Sequence, residues 1–329
     1  MASTRRAYLA WVVVCLVWGT TYLAIRIGLE TIPPFLLGAF RWIVAGSLIL
    51  AVLRVRGDQL PRWRTWGSLG LLGVLLLGFG NGGVVWAERT VPSGLTAVLV
   101  AMSPFWMVGL EACMPDGDVL TPRQIVGLMV GFGGIIALVW PEIRAGSASV
   151  GGNGFLRGAI ATQLACLGWA VGSTWSKRHG KSAGSVESVL GQAAFQMLLG
   201  GLALLAVASG RQEWQSLTFT PRTLGALAYL TLVGAIAGFS AYTYALRHLP
   251  VAVVSLYAYV NPVIAVVLGT LVLREPFNAR MAVSAGIVLT GIALVSRYGE
   301  PARRTLKPVA RAFQARDGAD LKGPPYVVR

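Results

Sequence analysis

The sequence predicts an all-α membrane protein of ten transmembrane helices, arranged as an inverted repeat of two five-helix halves. Three observations predict it. Hydrophobic residues make up 55% of the 329-residue chain and charged residues 12%, whereas an ordinary soluble domain carries about 25% charge. The apolar residues gather in runs, and about 20 of them in a row cross the roughly 30 Å of bilayer hydrocarbon. The prolines and glycines of the first half then recur in the second at a constant offset.

In chain order the runs cover about 8–29, 35–53, 66–87, 93–114, 124–140, 155–176, 186–209, 224–246, 251–273 and 281–296. The first follows Arg5-Arg6. It is longer than the apolar core of a secretory signal and no clear cleavage site follows, so it is expected to stay in the mature protein. Ala87, Arg89, Pro92 and Pro104 map onto Ala245, Arg247, Pro250 and Pro262, with Gly67, Gly80 and Gly133 falling on Gly225, Gly238 and Gly291. Upstream, Ala39-Phe40-Arg41 matches Ala194-Phe195-Gln196, and Trp18 with Arg26 matches Trp169 with Lys177. An odd number of spans per half makes the second half enter the membrane from the opposite side. The expected division is 1–145 for the first repeat, 146–298 for the second, and 299–329 for a disordered basic tail without apolar periodicity.

Orientation follows from the basic residues beside the spans. With the N-terminus inside, the cytoplasmic side receives Arg5, Arg6, Arg54, Arg56, Arg62, Arg64, Arg123, Lys177, Arg178, Lys181, Arg247 and the whole basic tail. The opposite side receives fewer than half as many. Both termini are therefore expected in the cytoplasm.

Val251 to Leu273 is interrupted at its centre by Asn261-Pro262, and Ser93 to Met114 by Ser103-Pro104 at the matching place. Proline has no N–H to donate, so each interruption frees a carbonyl where no water replaces the lost bond. Interruptions at matching positions of two halves point to a midplane binding site. The expected solute contacts are Trp18, Asn81, Ser103, Trp169, Tyr257, Tyr259 and Asn261, with Pro104 and Pro262 as hinges. Aromatic faces would supply apolar area, and Asn and Ser the few polar groups that orient a solute. The alternative for each is plain helix packing. Arg41 lies six residues into its run. It either snorkels or caps carbonyls at the surface, or serves as a gate or substrate contact. Glu111 is the only acid clearly inside a run, close to its end, where proton coupling is a poor assignment.

Other classes fit less well. A net charge of +15 would suit nucleic acid only if clustered on one folded face with groove-reading motifs, and here it is spread between apolar runs and the tail. Gly78-Phe79-Gly80-Asn81-Gly82-Gly83 matches GxGxxG formally but lies within an apolar run, without the strand and helix a dinucleotide site needs. Cys15, Cys113 and Cys166 stand far apart in apolar runs, and His179 and His248 are the only histidines, so neither cofactor nor metal is expected. No nucleophile with a base and no carboxylate pair within the runs marks an intramembrane enzyme, although Asp116 and Asp118 come nearest. Charged rings or carbonyl filters of a channel and the phosphate loop of an ATP-driven pump are likewise missing from the sequence.

Trp18-Gly19-Thr20-Thr21-Tyr22-Leu23-Ala24-Ile25-Arg26-Ile27-Gly28 resembles the first-helix signature of EamA-type carriers, a family within the drug/metabolite transporter superfamily. Gly80-Asn81-Gly82, Val91-Pro92-Ser93-Gly94 and Tyr257-Ala258-Tyr259-Val260-Asn261-Pro262 are similar to stretches of its inner-membrane exporters, and the likeness covers roughly residues 8 to 296. One departure is visible: Arg274-Glu275-Pro276 follows the ninth run, whereas Asp116-Gly117-Asp118 follows the fourth. The resemblance implies an inner-membrane secondary carrier, active as a monomer, that exports a small organic solute such as an amino acid, metabolite or drug. An uptake carrier or an uncoupled facilitator of the same fold is the alternative, and an intramembrane enzyme a distant one.

Overall fold

The computed structural model describes residues 2–114, 120–145, 152–179, 189–249, 254 and 257–296. The described residues up to Ser296 form one compact unit. The expected basic tail, 299–329, lies outside the described residues, as do Asp116, Gly117 and Asp118.

The described chain is all helix, without a strand. Its elements are α1 (Ala2–Gly28), α2 (Pro34–Val55), α3 (Trp66–Gly73), α4 (Gly82–Ala87), α5 (Ser93–Val100), α6 (Ser103–Ala112), α7 (Pro122–Ala145), α8 (Gly152–His179), α9 (Val189–Gly210), α10 (Pro221–Tyr229), α11 (Gly238–His248), α12 (Tyr257–Leu273) and α13 (Ala279–Ser296). Segments π1 (Val74–Asn81) and π2 (Leu230–Ala237) join α3 to α4 and α10 to α11 as π-helical turns. Among the described residues, eight helices are long and apolar enough to cross a bilayer, and two shorter apolar helices, Tyr257–Leu273 and Ala279–Val295, accompany them. Large apolar side chains such as Leu16, Leu48, Met129, Ile160, Leu271 and Val283 stand exposed on the outside. In a bilayer that belt meets acyl chains rather than water, so its exposure carries no hydrophobic penalty.

Helix pairs hold the bundle together, α2 against α9 and α7 against α13 most extensively. Lipid tails are as apolar as leucine, so these contacts rest on close packing. A Cβ at Gly291 of α13 would stand 2.6 Å from the Gly131 nitrogen of α7, and one at Gly46 of α2 would stand 2.6 Å from the Ala194 carbonyl of α9. Glycine is what permits both crossings.

Two carboxylates on loops of the second half cap helix starts in the first. Pro33 precedes α2 and offers no side-chain acceptor. Glu213 Oε2 takes that role, accepting from the Phe35 and Leu36 N–H groups at 3.0 Å each. Burial pushes the Glu213 carboxyl up, and these two N–H groups pull it back. Glu275 caps α5 in the same way, accepting from Ser93 N–H at 2.9 Å, Ser93 Oγ–H at 2.8 Å and, more weakly, Gly94 N–H at 3.4 Å. The carboxylates meet the positive ends of the helix dipoles and satisfy N–H groups that an apolar solvent would leave bare.

Of the two expected helix breaks, one is present and one is not. The fourth span does break, into α5 and α6, just before Ser103 and Pro104. Pro262, however, lies inside the continuous helix α12, so no break separates its two sides. A proline is tolerated there because the helix loses one hydrogen bond and its neighbours hold the rest. The matched irregularity of the two halves lies instead in the third and eighth spans, at π1 and π2.

Candidate functional site

A cavity of about 450 Å³ lies inside the bundle. Its wall draws on α1, α2, π1, α4, α5, α6, α8, π2, α11 and α12, so both halves of the chain contribute.

Aromatic rings from three helices build one side. Trp18 of α1 meets Tyr257 of α12 edge-on at 5.0 Å and Tyr242 of α11 at 5.0 Å, and Phe239 closes the group at 6.5 Å. The Trp18 indole N–H donates to the Gly234 carbonyl at 3.3 Å. That carbonyl belongs to π2, where wide i→i+5 turns disturb the regular pairing and offer acceptors to side chains.

Polar groups in the wall are held by neighbours. Asn81, in π1, accepts at its Oδ1 from the Trp42 indole N–H at 3.2 Å. Asn261 is buried, and with its amide nitrogen facing the Cys15 and Tyr257 carbonyls it donates to each at 3.1 Å, tying α12 to α1. Ser103 Oγ–H turns back to the Val100 carbonyl at 2.7 Å, across the α5–α6 break. Because Pro262 has no N–H, the Ala258 carbonyl lacks its helical partner, and Ala258 lies in the cavity wall.

Of the residues anticipated from sequence, Trp18, Asn81, Ser103, Trp169, Tyr257, Asn261, Pro104, Pro262 and Arg41 all line this cavity. Tyr259 does not. It packs against the apolar cluster around Leu99, Met102, Phe105 and Val288. Two residues turn a helix by about 200°, so Tyr257 and Tyr259 cannot both face inward. Helical periodicity alone would have separated them.

Arg41 departs from the snorkelling alternative. It is 5% exposed, stacks over the Trp42 ring at 4.2 Å, and its Nε and Nη1 have no hydrogen-bond partner. Beyond it stands an acid that sequence reasoning missed. Glu88, just past the end of α4, is fully buried, and neither carboxylate oxygen has a hydrogen-bond partner. Arg26 Nη1 donates to the Glu88 main-chain carbonyl, and Arg26 Nε stands 4.0 Å from Glu275 Oε1. Burial pushes the Glu88 carboxyl well above the usual range and the Glu275 charge adds to this, while Arg26 and Arg41 pull it back. An acid at the edge of an apolar run reads as interfacial. The usable signal was the repeat, in which Leu246 takes the place of Glu88 and Gln196 that of Arg41.

Among the described residues, no group of His, Cys, Asp and Glu is placed to hold a metal.

Comparison with known proteins agrees with this architecture. The chain is similar to a relative from Escherichia coli (strain K12) named as an uncharacterized inner membrane transporter, YedA, at 35% identity over 89% of this chain and 92% of the relative. It is also similar to the protein PecM of Dickeya dadantii (strain 3937), at 25% identity over 90% and 94% of the two chains. A solved crystal structure shares the fold with a TM-score of 0.59 at 20% identity, covering 91% of this chain and 98% of its own. The model of the EamA-like transporter family matches twice, at residues 5–140 and 156–297. The protein is a multi-pass membrane protein with transporter relatives, and the chain belongs to the EamA-like transporter family.

Proposed function

We propose that this chain is a secondary carrier that exports a small organic solute through the central cavity by alternating access. The observation that carries this reading is a single cavity walled by both halves of the chain, with a π-helical segment in each half at its edge. Irregular backbone at membrane depth is tolerated where it is buried in protein or lines a cavity, and in carriers of repeated architecture such places hold the solute. On this reading the two five-helix halves, 1–145 and 146–298, are an inverted repeat with both termini cytoplasmic. The end that carries Arg26, Glu88, Glu213 and Glu275 then faces outward.

Reconstitution tests it. Purified protein in liposomes, loaded with labelled amino acids and metabolites, should show counterflow of at least one solute with and without a pH gradient. Asn261→Ala or Trp169→Ala is expected to lower that counterflow severalfold while the purified variants unfold at temperatures close to wild type. Pro262→Ala should slow turnover, because it gives the Ala258 carbonyl a helical partner and stiffens α12. Wild-type rates in all three folded variants would place the solute path elsewhere. Orientation has its own test. Asp58→Cys, in a chain whose native cysteines are replaced, should resist an impermeant thiol reagent applied to intact cells, and its labelling from outside would reverse the topology.

A further inference from the structure

Arg41 is the only charged residue in the described wall of the cavity. Its side chain is more than nine-tenths buried, and two of its donor nitrogens, Nε and Nη1, have no hydrogen-bond partner. Its position is set by its neighbours. The Trp42 ring lies under the guanidinium at 4.2 Å, and the Trp42 indole is itself pinned to Asn81 Oδ1. Arg41 lines the cavity, but these two nitrogens are closed off from its open space, so the guanidinium receives an anion only by turning them into the cavity.

No acid among the described residues makes a hydrogen bond to Arg41. Glu88 lies outside the cavity wall and makes no hydrogen bond to Arg41. Burial and the neighbouring Glu275 favour its neutral form. Glu275 is committed to Ser93 and Gly94, and Arg26 is turned to the Glu88 carbonyl and Glu275. Arg41 therefore faces the cavity with its charge only partly offset.

Resting on the reading of this cavity as a solute site, we propose that its solute is a monocarboxylate with an apolar body, its carboxylate held by the Arg41 guanidinium and its body against Trp18, Trp169 and Tyr257. The planar fork of Arg presents paired N–H donors at the spacing of a carboxylate. A phosphate ester would bring a second negative charge for which the wall offers no second cation. The repeat aligns Gln196 with Arg41, and Gln196 is not part of the described wall, so the head group binds off-centre, on the first-half side. On this assignment a cationic drug is disfavoured, since it would set like charges together in a site of low polarity.

Matched probes test the assignment on the purified full chain in detergent, without requiring transport. Phenylacetate and hexanoate would be titrated beside their neutral twins, phenylacetamide and hexanamide, and beside phenethylamine, with tryptophan fluorescence as the readout. Each carboxylate should bind at least about tenfold more tightly than its amide, the scale of a hydrogen bond to a charged group. Arg41→Gln should abolish that preference while unfolding at a similar temperature, and Arg41→Lys, which keeps the charge but loses the fork, should keep part of it. The proposal is overturned if amide or amine binds as tightly as the acid, if the preference survives in Arg41→Gln, or if no carboxylate saturates the wild-type protein. Carboxylate preference without counterflow in liposomes would sink the carrier reading and leave the site standing. Counterflow of a neutral or cationic solute unaffected by Arg41→Gln would do the reverse.

Discussion

Glu275→Ala is expected to destabilise the protein by about 2–3 kcal/mol, the range for removing a charged helix cap together with its charge-assisted hydrogen bonds. Glu275 sits on the loop after α12 yet completes the start of α5, through Ser93 and Gly94. The chain bends sharply to bring it there. Arg274 takes a left-handed φ of 52°, the Glu275 N–H donates to the Gly269 carbonyl at 3.1 Å, and a Cβ on Gly269 would collide with the carboxylate. A single side chain thus ties the loop after α12 to the start of α5 at one end of the bundle. Without it Ser93 and Gly94 lose their acceptor where Pro92 offers no replacement. Glu275→Gln should fall between, since an amide oxygen still accepts but brings no charge to the helix dipole. Denaturation of wild type and both variants in detergent checks this order. An unchanged midpoint for Glu275→Ala would mean that water or lipid headgroups satisfy the α5 terminus instead.

Glu88→Gln is expected to change the pH dependence of stability rather than stability itself. The folded-state pKa of Glu88 is raised above its unfolded value, chiefly by burial and further by Glu275. Between those two values the unfolded chain has lost the proton and the folded chain still holds it, so folding binds a proton. Stability contributed by the neutral group is complete below the unfolded pKa and is lost as pH rises through the folded pKa. The slope in that window is at most about 1.4 kcal/mol per pH unit. Glutamine mimics the neutral carboxyl and does not titrate. Wild type should therefore lose stability relative to Glu88→Gln as pH climbs from the usual carboxylate range, and the two should converge in acid. Parallel profiles from acid to alkaline pH would show that Arg26 and Arg41 keep Glu88 ionised in the folded protein.

Composition and spacing alone determined that this chain is helical and membrane-spanning, because the bilayer leaves a long apolar run no other way to satisfy its backbone. Spacing also exposed the duplication and, through Trp18, Asn81, Trp169, Tyr257 and Asn261, part of the cavity wall. Those residues were legible because a polar side chain inside an apolar run, or a tryptophan duplicated between the halves, needs an explanation beyond lipid contact.

Only the tertiary structure decided the rest, because each remaining feature depends on a partner distant in the chain. Pro262 fits an unbroken helix once α1 and its neighbours hold α12, whereas the irregular turns of π1 and π2 carry no proline to announce them. Tyr259 turns to the apolar core because its helix has already committed Tyr257 to the cavity. Arg41 is buried beside Trp42 rather than drawn to the surface, and Glu88 is sealed behind it, although each lies within reach of water by sequence position. A charge at the edge of a span can take either course at similar local cost. Which one it takes is set by the helices that close over it, and local sequence does not contain them.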